Sequence, residues 1–495
     1  MPSQSSPIPS WSNSIWIYPG YPGNPYDAQW QSDALNMIAN YNADTNTCST
    51  CAINMVYPYG TDLELPWANG GDATALNDPS QVGFYFDSKA PGILATYANM
   101  EVNKKPINVS PIIDGRIDNG YLQDLNGTTM TEDDVKALAY TVVKGGTSLV
   151  TFQNGVGYYA STTNSTTGTV ANGISGIQFD LEPVDSSQPL QAAFYTEVGR
   201  LLAETNQYFS IFTFPKQLTP ATATMLNANN NGYAIIALYD LIDMETVPAT
   251  TCAPYTLPFA EGCDTSTAPL PIKEDQTLDS ANVPHSSAGH YNAAYVTAMQ
   301  TIALAKSNNI KYKFAIPAGP SVHEFVKWGL FECTYPNVKR AEKYVSCKPG
   351  AAQQISGKGP GTQKTYAQNA INAINQAIKD STIAGVYDSN LFVGVDIWGL
   401  SKISPWTASP IIIDWDSGDY MTCYPGDSNG CTDLGNDTST CLGAAGNSDS
   451  CSIAPTYVYT ATEEQNADGS FTRGYPTQDV LTYLQTNLDP RPKSS

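Results

Sequence analysis

Charge is scarce in this sequence. Only 14% of its 495 residues are Asp, Glu, Lys or Arg, well below the roughly 25% of an average soluble chain. Basic residues are the scarcer sign, 24 Lys plus Arg against 46 Asp plus Glu, for a net charge of -22. A chain this acidic repels nucleic-acid backbones and anionic membrane surfaces, so neither is an expected partner. No run approaches the roughly 20 apolar residues of a membrane span, and the start, MPSQSSPIPSW, lacks the basic-then-apolar layout of a secretory leader. Histidine is nearly missing: the three are His285, His290 and His323, and none falls in a zinc-ligand pattern. Asp427 to Cys431 and Asp433 lack the spacing of a calcium-binding EF-hand loop. No metal or other cofactor is therefore expected.

Aromatic and neutral polar side chains take the place of charge. With 41% hydrophobic residues, 30 Tyr and 8 Trp, the chain has ample material for a core. A Tyr- and Trp-rich neutral surface suits contact with neutral polyols such as sugars. Ten Cys, most spaced through Gly-, Ser- and Asp-rich segments, read as loop staples and point to an oxidising, extracellular location. Cys48 and Cys51 have the spacing of a redox motif without its βαβ context, so a tight structural disulfide is expected there. The sequons at Asn108, Asn126, Asn164 and Asn436 arise readily by chance in so Ser- and Thr-rich a chain.

Short β-rich runs recur at 14–18, 52–57, 107–113, 175–181, 209–214, 234–239, 311–316 and 391–398, each ended by Pro, Gly or polar residues. Between them lie amphipathic segments. One opens at Thr131 with Asp134 three residues on, a capping box with Asp in place of Glu, and carries Val135, Leu138, Ala139 and Val142 on one face. Others run over 191–205, 290–306, 365–379 and 478–487. Alternating strands and helices predict a (β/α)8 TIM barrel. Residues 148–152 are read as a helix end or excursion rather than a further strand, and 161–169, all Thr, Ser, Gly and Asn, as a solvated loop. Insertions at 242–284, 319–362 and 402–475 hold eight of the ten Cys and follow strands six, seven and eight, where loops of a barrel form its catalytic face. The expected division is a catalytic barrel over 10–401, a Cys-rich insertion or separate module over 402–475, and a closing helix and tail over 476–495.

The stretch Ser175-Gly-Ile-Gln-Phe-Asp-Leu-Glu182-Pro183 carries the chemistry. With a period of two, Gln178, Asp180 and Glu182 share one strand face and Ile177, Phe179 and Leu181 the other. Inner barrel faces are ordinarily aliphatic, so a polar row ending in two carboxylates is costly unless it has a task. Their Cα atoms lie roughly 6 to 7 Å apart, and a neighbouring negative charge with partial burial raises the pKa of one of them. A carboxyl group that keeps its proton near neutrality can protonate a glycosidic oxygen.

These residues resemble the strand-four signature of family 18 glycoside hydrolases, the chitinases and endo-β-N-acetylglucosaminidases, whose pattern is Asp-Gly-x-Asp-x-Asp-x-Glu. Glu182 falls on the catalytic acid and Asp180 on the last Asp, while Ser175 and Gln178 stand where the family has its first two Asp residues. Ala237-Leu-Tyr-Asp240 is similar to the strand-six Met-x-Tyr-Asp pattern, Phe314-Ala-Ile-Pro317 to the strand-seven Gly-Ile-Pro run, and Val393-Gly-Val-Asp-Ile-Trp398 to the strand-eight ending. The resemblance implies substrate-assisted retaining hydrolysis of a β-linked N-acetylglucosamine glycan or chitin. Glu182 is then the general acid and base, Asp180 orients the acetamido group, and Tyr239 hydrogen-bonds its carbonyl. Asp240 supports the sugar or the acid, and Trp398 offers a stacking face. Gln178 is a neutral hydrogen-bonding neighbour, and Asp396 is either a compensating acid or a satisfied core carboxylate. Tyr18 and Tyr57, at strand ends, are candidate outer subsites. Two other readings stand beside this one: a carbohydrate-binding protein without turnover, and a barrel glycosidase of another family with Asp180 or another carboxylate as direct nucleophile.

Overall fold

The computed structural model describes residues 6–18, 28–45, 48–64, 83–84, 94, 96–102, 104–115, 130–144, 174–181, 184–239, 287–318, 326–336, 344–349, 363–401, 411–414, 419–423, 431–433, 450–452, 456–461, 476 and 478–492. The readings of 148–152 and 161–169 and the insertion 242–284 lie outside them.

Eight parallel strands close a barrel: β1 (Asn13–Tyr18), β2 (Ile53–Glu64), β3 (Ile112–Gly115), β4 (Gly176–Leu181), β5 (Tyr208–Thr213), β6 (Gly232–Ala237), β7 (Tyr312–Pro317) and β8 (Phe392–Ser401). Each pairs in parallel with the next, and β8 returns to β1 through Ser14 opposite Asp396. The fold is the expected (β/α)8 TIM barrel. Around the strands lie α1 (Ala28–Ala43), α2 (Glu132–Lys144), α3 (Pro189–Ala203), α4 (Pro220–Asn227), α5 (Ser287–Asn308), α6 (Gln363–Ile383) and α7 (Gln478–Asn487).

Local chemistry explains the element ends. At α2 the Thr131 amide donates to Asp134 Oδ2 at 2.8 Å and the Asp134 amide donates to Thr131 Oγ1 at 3.2 Å. This reciprocal cap satisfies amides that a helix start leaves orphaned. The face that follows, Val135, Leu138, Ala139 and Val142, is fully buried. At the other end of the chain, Gln485 of α7 donates to the Tyr41 carbonyl of α1 at 3.1 Å, joining the last helix to the first.

Period-two alternation sorts the strand residues into two apolar layers. Ile177, Phe179 and Leu181 of β4 face outward, and Phe179 meets Phe194 and Tyr195 of α3 with ring centroids 5.9 and 5.6 Å apart. The inner layer holds Trp16, Met55, Tyr57, Ile112, Tyr208, Phe212, Tyr233 and Ile235. Gly176 is required there: a Cβ would lie 2.3 Å from the Tyr208 carbonyl oxygen and 2.5 Å from its ring. Ile8 joins this layer, and Ser6 reaches Asn230 and Lys311, which precede β6 and β7. The chain start therefore passes beneath the strand N-terminal ends, opposite the end where βα loops build a site.

The insertions after β7 and β8 combine. Strands Val326–Pro336 and Tyr344–Pro349 from the first pair antiparallel with Ile411–Asp414, Asp419–Cys423, Cys431–Asp433, Ser450–Ser452 and Thr456–Ala461 from the second, in one seven-stranded sheet. Six of these strands pair in a closed ring, with Ser450–Ser452 attached to Val326–Pro336. Segment 402–475 is thus joined by strand pairing to 326–349. The register sets Cys333 opposite Cys347 and Cys423 opposite Cys431.

Candidate functional site

Of the residues expected to carry chemistry, Asp180 is described and Glu182 and Asp240 lie outside the described residues. Asp180 ends the inner face of β4 as a half-buried side chain. Two residues deeper, Gln178 is fully buried and both ends of its amide are used: Ser210 donates to its Oε1, and its Nε2 donates to the Phe179 carbonyl at 2.8 Å. The position at which the family pattern has an ionisable Asp is here a locked neutral amide.

Strand register brings a second carboxylate to Asp180. Asp114, on β3, is its Cα partner across the β3–β4 pair, just as Ile112 is the partner of Gln178. Ile112 belongs to the inner layer and Ile113 to the outer one, so the phase of β3 puts Asp114 on the inner face. Asp114 is half-buried, and its Oδ1 accepts the Gly115 amide at 2.6 Å. Adjacent strands lie roughly 4.8 Å apart, so two carboxylates occupy neighbouring places at the strand C-terminal ends. The sequence reading missed Asp114 by ending its strand at Ile113. Counting by two from Ser110 through Ile112 would have found it.

The opposite wall is aromatic. Tyr239 and Trp398 stack with ring centroids 5.0 Å apart and planes 5° from parallel. Trp16 meets Trp398 edge-on at 5.1 Å, and Phe212 lies 6.2 Å from Tyr239. Two residues proposed from separate motifs thus form one unit. Trp16, unforeseen, shares the inner face with Ser14.

Tyr57 lies deeper than expected. Its strand does not end there but continues to Glu64, so Tyr57 is at mid-barrel with no exposed surface. Its hydroxyl is 2.7 Å from that of Tyr233 and accepts from Lys313 Nζ at 3.2 Å. A ring so enclosed has no face for an outer sugar, and burial drives its phenol well above the ordinary range. Tyr18 closes β1 opposite Ser401; its backbone alone is among the described positions.

Asp396 points inward as the strand phase predicts, and of the two alternatives it is the core carboxylate, paired through its Oδ1. Lys313 Nζ lies 3.0 Å from its Oδ1, with both side chains almost completely enclosed. Burial lifts the Asp396 carboxyl above the ordinary carboxylate range, and the charge of Lys313 opposes this. Burial lowers the Lys313 ammonium, opposed by Asp396. Polar contacts run from Lys313 through Tyr57 to Tyr233 in the barrel centre, and Ser210 holds Gln178 beneath Asp180. Lys313 was also missed, although a lysine in the middle of an apolar strand was its signal.

Cys48 and Cys51 are disulfide-bonded, with Cα atoms 5.2 Å apart. No helix among the described residues is long and apolar enough to cross a membrane.

No family model matches the chain, and no curated protein matches it in sequence. Among solved structures, a fungal β-1,4-galactanase is similar over 78% of this chain and 88% of its own, at 8% identity and a TM-score of 0.30. The spore cortex-lytic enzyme SleL of Bacillus megaterium QM B1551 is similar over 97% of this chain and 74% of its own, at 8% identity and a TM-score of 0.32.

Proposed function

We propose that this protein is an extracellular glycoside hydrolase that cleaves β-linked N-acetylglucosamine glycans or chitin by substrate-assisted retaining catalysis. The observation that carries the reading is the half-buried Asp180 at the inner C-terminal end of β4, with Glu182 two residues on and Asp114 beside it in register.

In this reading a sugar sits over the Trp398–Tyr239 stack, with its acetamido group toward Asp180. Glu182 gives its proton to the leaving glycosidic oxygen while the acetamido carbonyl oxygen attacks the anomeric carbon from the opposite face. The C–O bond to the leaving sugar breaks as the ring of an oxazolinium ion closes. Asp180 stabilises the positive charge that develops on the acetamido nitrogen. Glu182, now a carboxylate, takes a proton from water; the hydroxide equivalent attacks the anomeric carbon and reopens the ring with net retention. Asp114 is the ionisable neighbour that Gln178 is not, able to share a proton with Asp180 from the adjacent strand. The Cys48–Cys51 disulfide and the Cys-rich insertions support an oxidising location.

A carbohydrate-binding protein without turnover is the second reading, favoured by the locked amide of Gln178. One experiment separates them. Wild type and Glu182→Gln are incubated with chitin oligomers, an N-glycan panel and unacetylated glucans, with and without a thiazoline mimic of the intermediate. The proposal expects cleavage of acetylated substrates, inhibition by the mimic, and a loss of about 100- to 10,000-fold in the variant. Binding without cleavage by both proteins favours the second reading. Cleavage of unacetylated glucans points to a barrel glycosidase of another type, and undiminished turnover by Glu182→Gln removes Glu182 from its role.

A further inference from the structure

The barrel centre holds an ion pair where aliphatic side chains would suffice. Lys313 and Asp396 are 1% and 0% exposed. Enclosing two charges has a desolvation cost that their attraction often does not recover, and apolar replacements of such pairs are frequently as stable or more so. Filling the barrel does not explain the pair.

Its surroundings are built for it. Lys313 Nζ donates to Asp396 Oδ1 at 3.0 Å, to Tyr57 at 3.2 Å and to Ser14, with Met55 Sδ at 3.3 Å. It also lies 5.4 and 5.6 Å from the ring centroids of Tyr57 and Tyr233. Gly394, two residues before Asp396, leaves the space beside the lysine stem open: its φ is +156°, and a Cβ would lie 1.7 Å from the Ser12 carbonyl oxygen and 3.1 Å from Lys313 Cε. β8 slips in register against both neighbours in this region, between Tyr312 and Lys313 on β7 and between Ile15 and Ile17 on β1. At the slipped strand, Asp396 is held by β7 through Lys313. Ser14, which accepts from the same ammonium, is its partner on β1.

Trp398 is two residues beyond Asp396 on the same inner face. We infer that Lys313 is a positioning residue: through Asp396 it sets the height and tilt of Trp398, and hence the Tyr239–Trp398 stack on which a sugar ring rests. The sugar-binding part rests on the function proposed above; the positioning of the stack does not.

The test uses the full chain as Lys313→Met, Lys313→Met/Asp396→Asn and Ser14→Ala, read by thermal unfolding, near-ultraviolet circular dichroism and kinetics on chitin tetramer. Lys313→Met alone is expected to unfold well below wild type, because it leaves Asp396 without its counter-charge. The double variant is expected to regain most of the unfolding midpoint but to lose the coupled Trp–Tyr signal. Its KM rises at least tenfold while kcat falls less than threefold. Ser14→Ala, which removes one lysine partner without altering charge, gives the same signature at about threefold in KM, and carries the test if the double variant does not fold. A folded double variant, or failing that Ser14→Ala, with wild-type dichroism and KM overturns the inference. If wild type cleaves no acetylated glycan, the functional reading fails, while the dichroism still decides whether Lys313 sets the stack.

Discussion

Asp396 and Asp180 both sit on the inner faces of barrel strands, and their surroundings differ in depth and partner. Asp396 has no exposed surface and is bound by Lys313 at 3.0 Å, between a strand that supplies a cation and a strand that supplies Ser14. Asp180 is half-buried at a strand end, with Asp114 as its register partner and a locked amide beneath. An enclosed carboxylate clamped to a lysine is fixed in place and closed to substrate. A half-buried carboxylate beside another acid can exchange a proton and meet a ligand. Depth and partner, rather than residue type or strand phase, separate the two carboxylates, and the proposed chemistry falls to the shallower one.

The closed side breaks most severely at Gly394. In Gly394→Ala the new Cβ must displace the Ser12 backbone, and the expected loss is about 3 kcal/mol or more, read as a large fall in the urea midpoint. On the open side, Asp114→Asn tests whether the adjacent carboxylate matters to Asp180. Turnover should fall about tenfold, or about 1.4 kcal/mol, with the fold intact. The acidic limb of the pH–rate profile should move to lower pH, because one of two neighbouring negative charges is gone. Thr131→Ala touches neither side; losing the α2 cap should cost about 1 kcal/mol in denaturation and leave turnover unchanged.

The smallest effect belongs to an exposed pair of the same composition as the buried one. Lys306 lies 2.9 Å from Asp388, with the two side chains 45% and 26% exposed, and its hydrogen bond holds the Asp388 carboxyl below the ordinary carboxylate range. A carboxylate depressed on folding stabilises the protein above its unfolded pKa and loses that contribution as pH falls through its folded one. Lys306→Met should therefore cost only about 0.2–1 kcal/mol near neutrality. The difference from wild type should vanish in strong acid, as denaturation midpoints across pH will show.

Much of this was legible in the sequence because it is local. All eight strands were found, since each is a short β-rich run with a punctuated end, although β2 continues well past its expected end to Glu64. The Thr131–Asp134 cap and α7 were readable from spacing alone. Inner and outer faces of β4 followed from alternation, and the separate motifs carrying Tyr239 and Trp398 placed both at the strand ends where they meet. What was missed depends on partners distant in sequence. Asp114 matters because register sets it beside Asp180, Lys313 because Asp396 is its neighbour, and Tyr57 is enclosed because β2 runs on to Glu64. The pairing of 326–349 with 411–461 has no local signature either, since each strand could satisfy its backbone with many others.

The role of Asp180 is tested most directly by measuring kcat/KM of Asp180→Asn on chitin tetramer beside wild type, with unfolding midpoints recorded for both. A fall of at least about 100-fold with an unchanged midpoint is the predicted result; cleavage within threefold of wild type by the folded variant would contradict it.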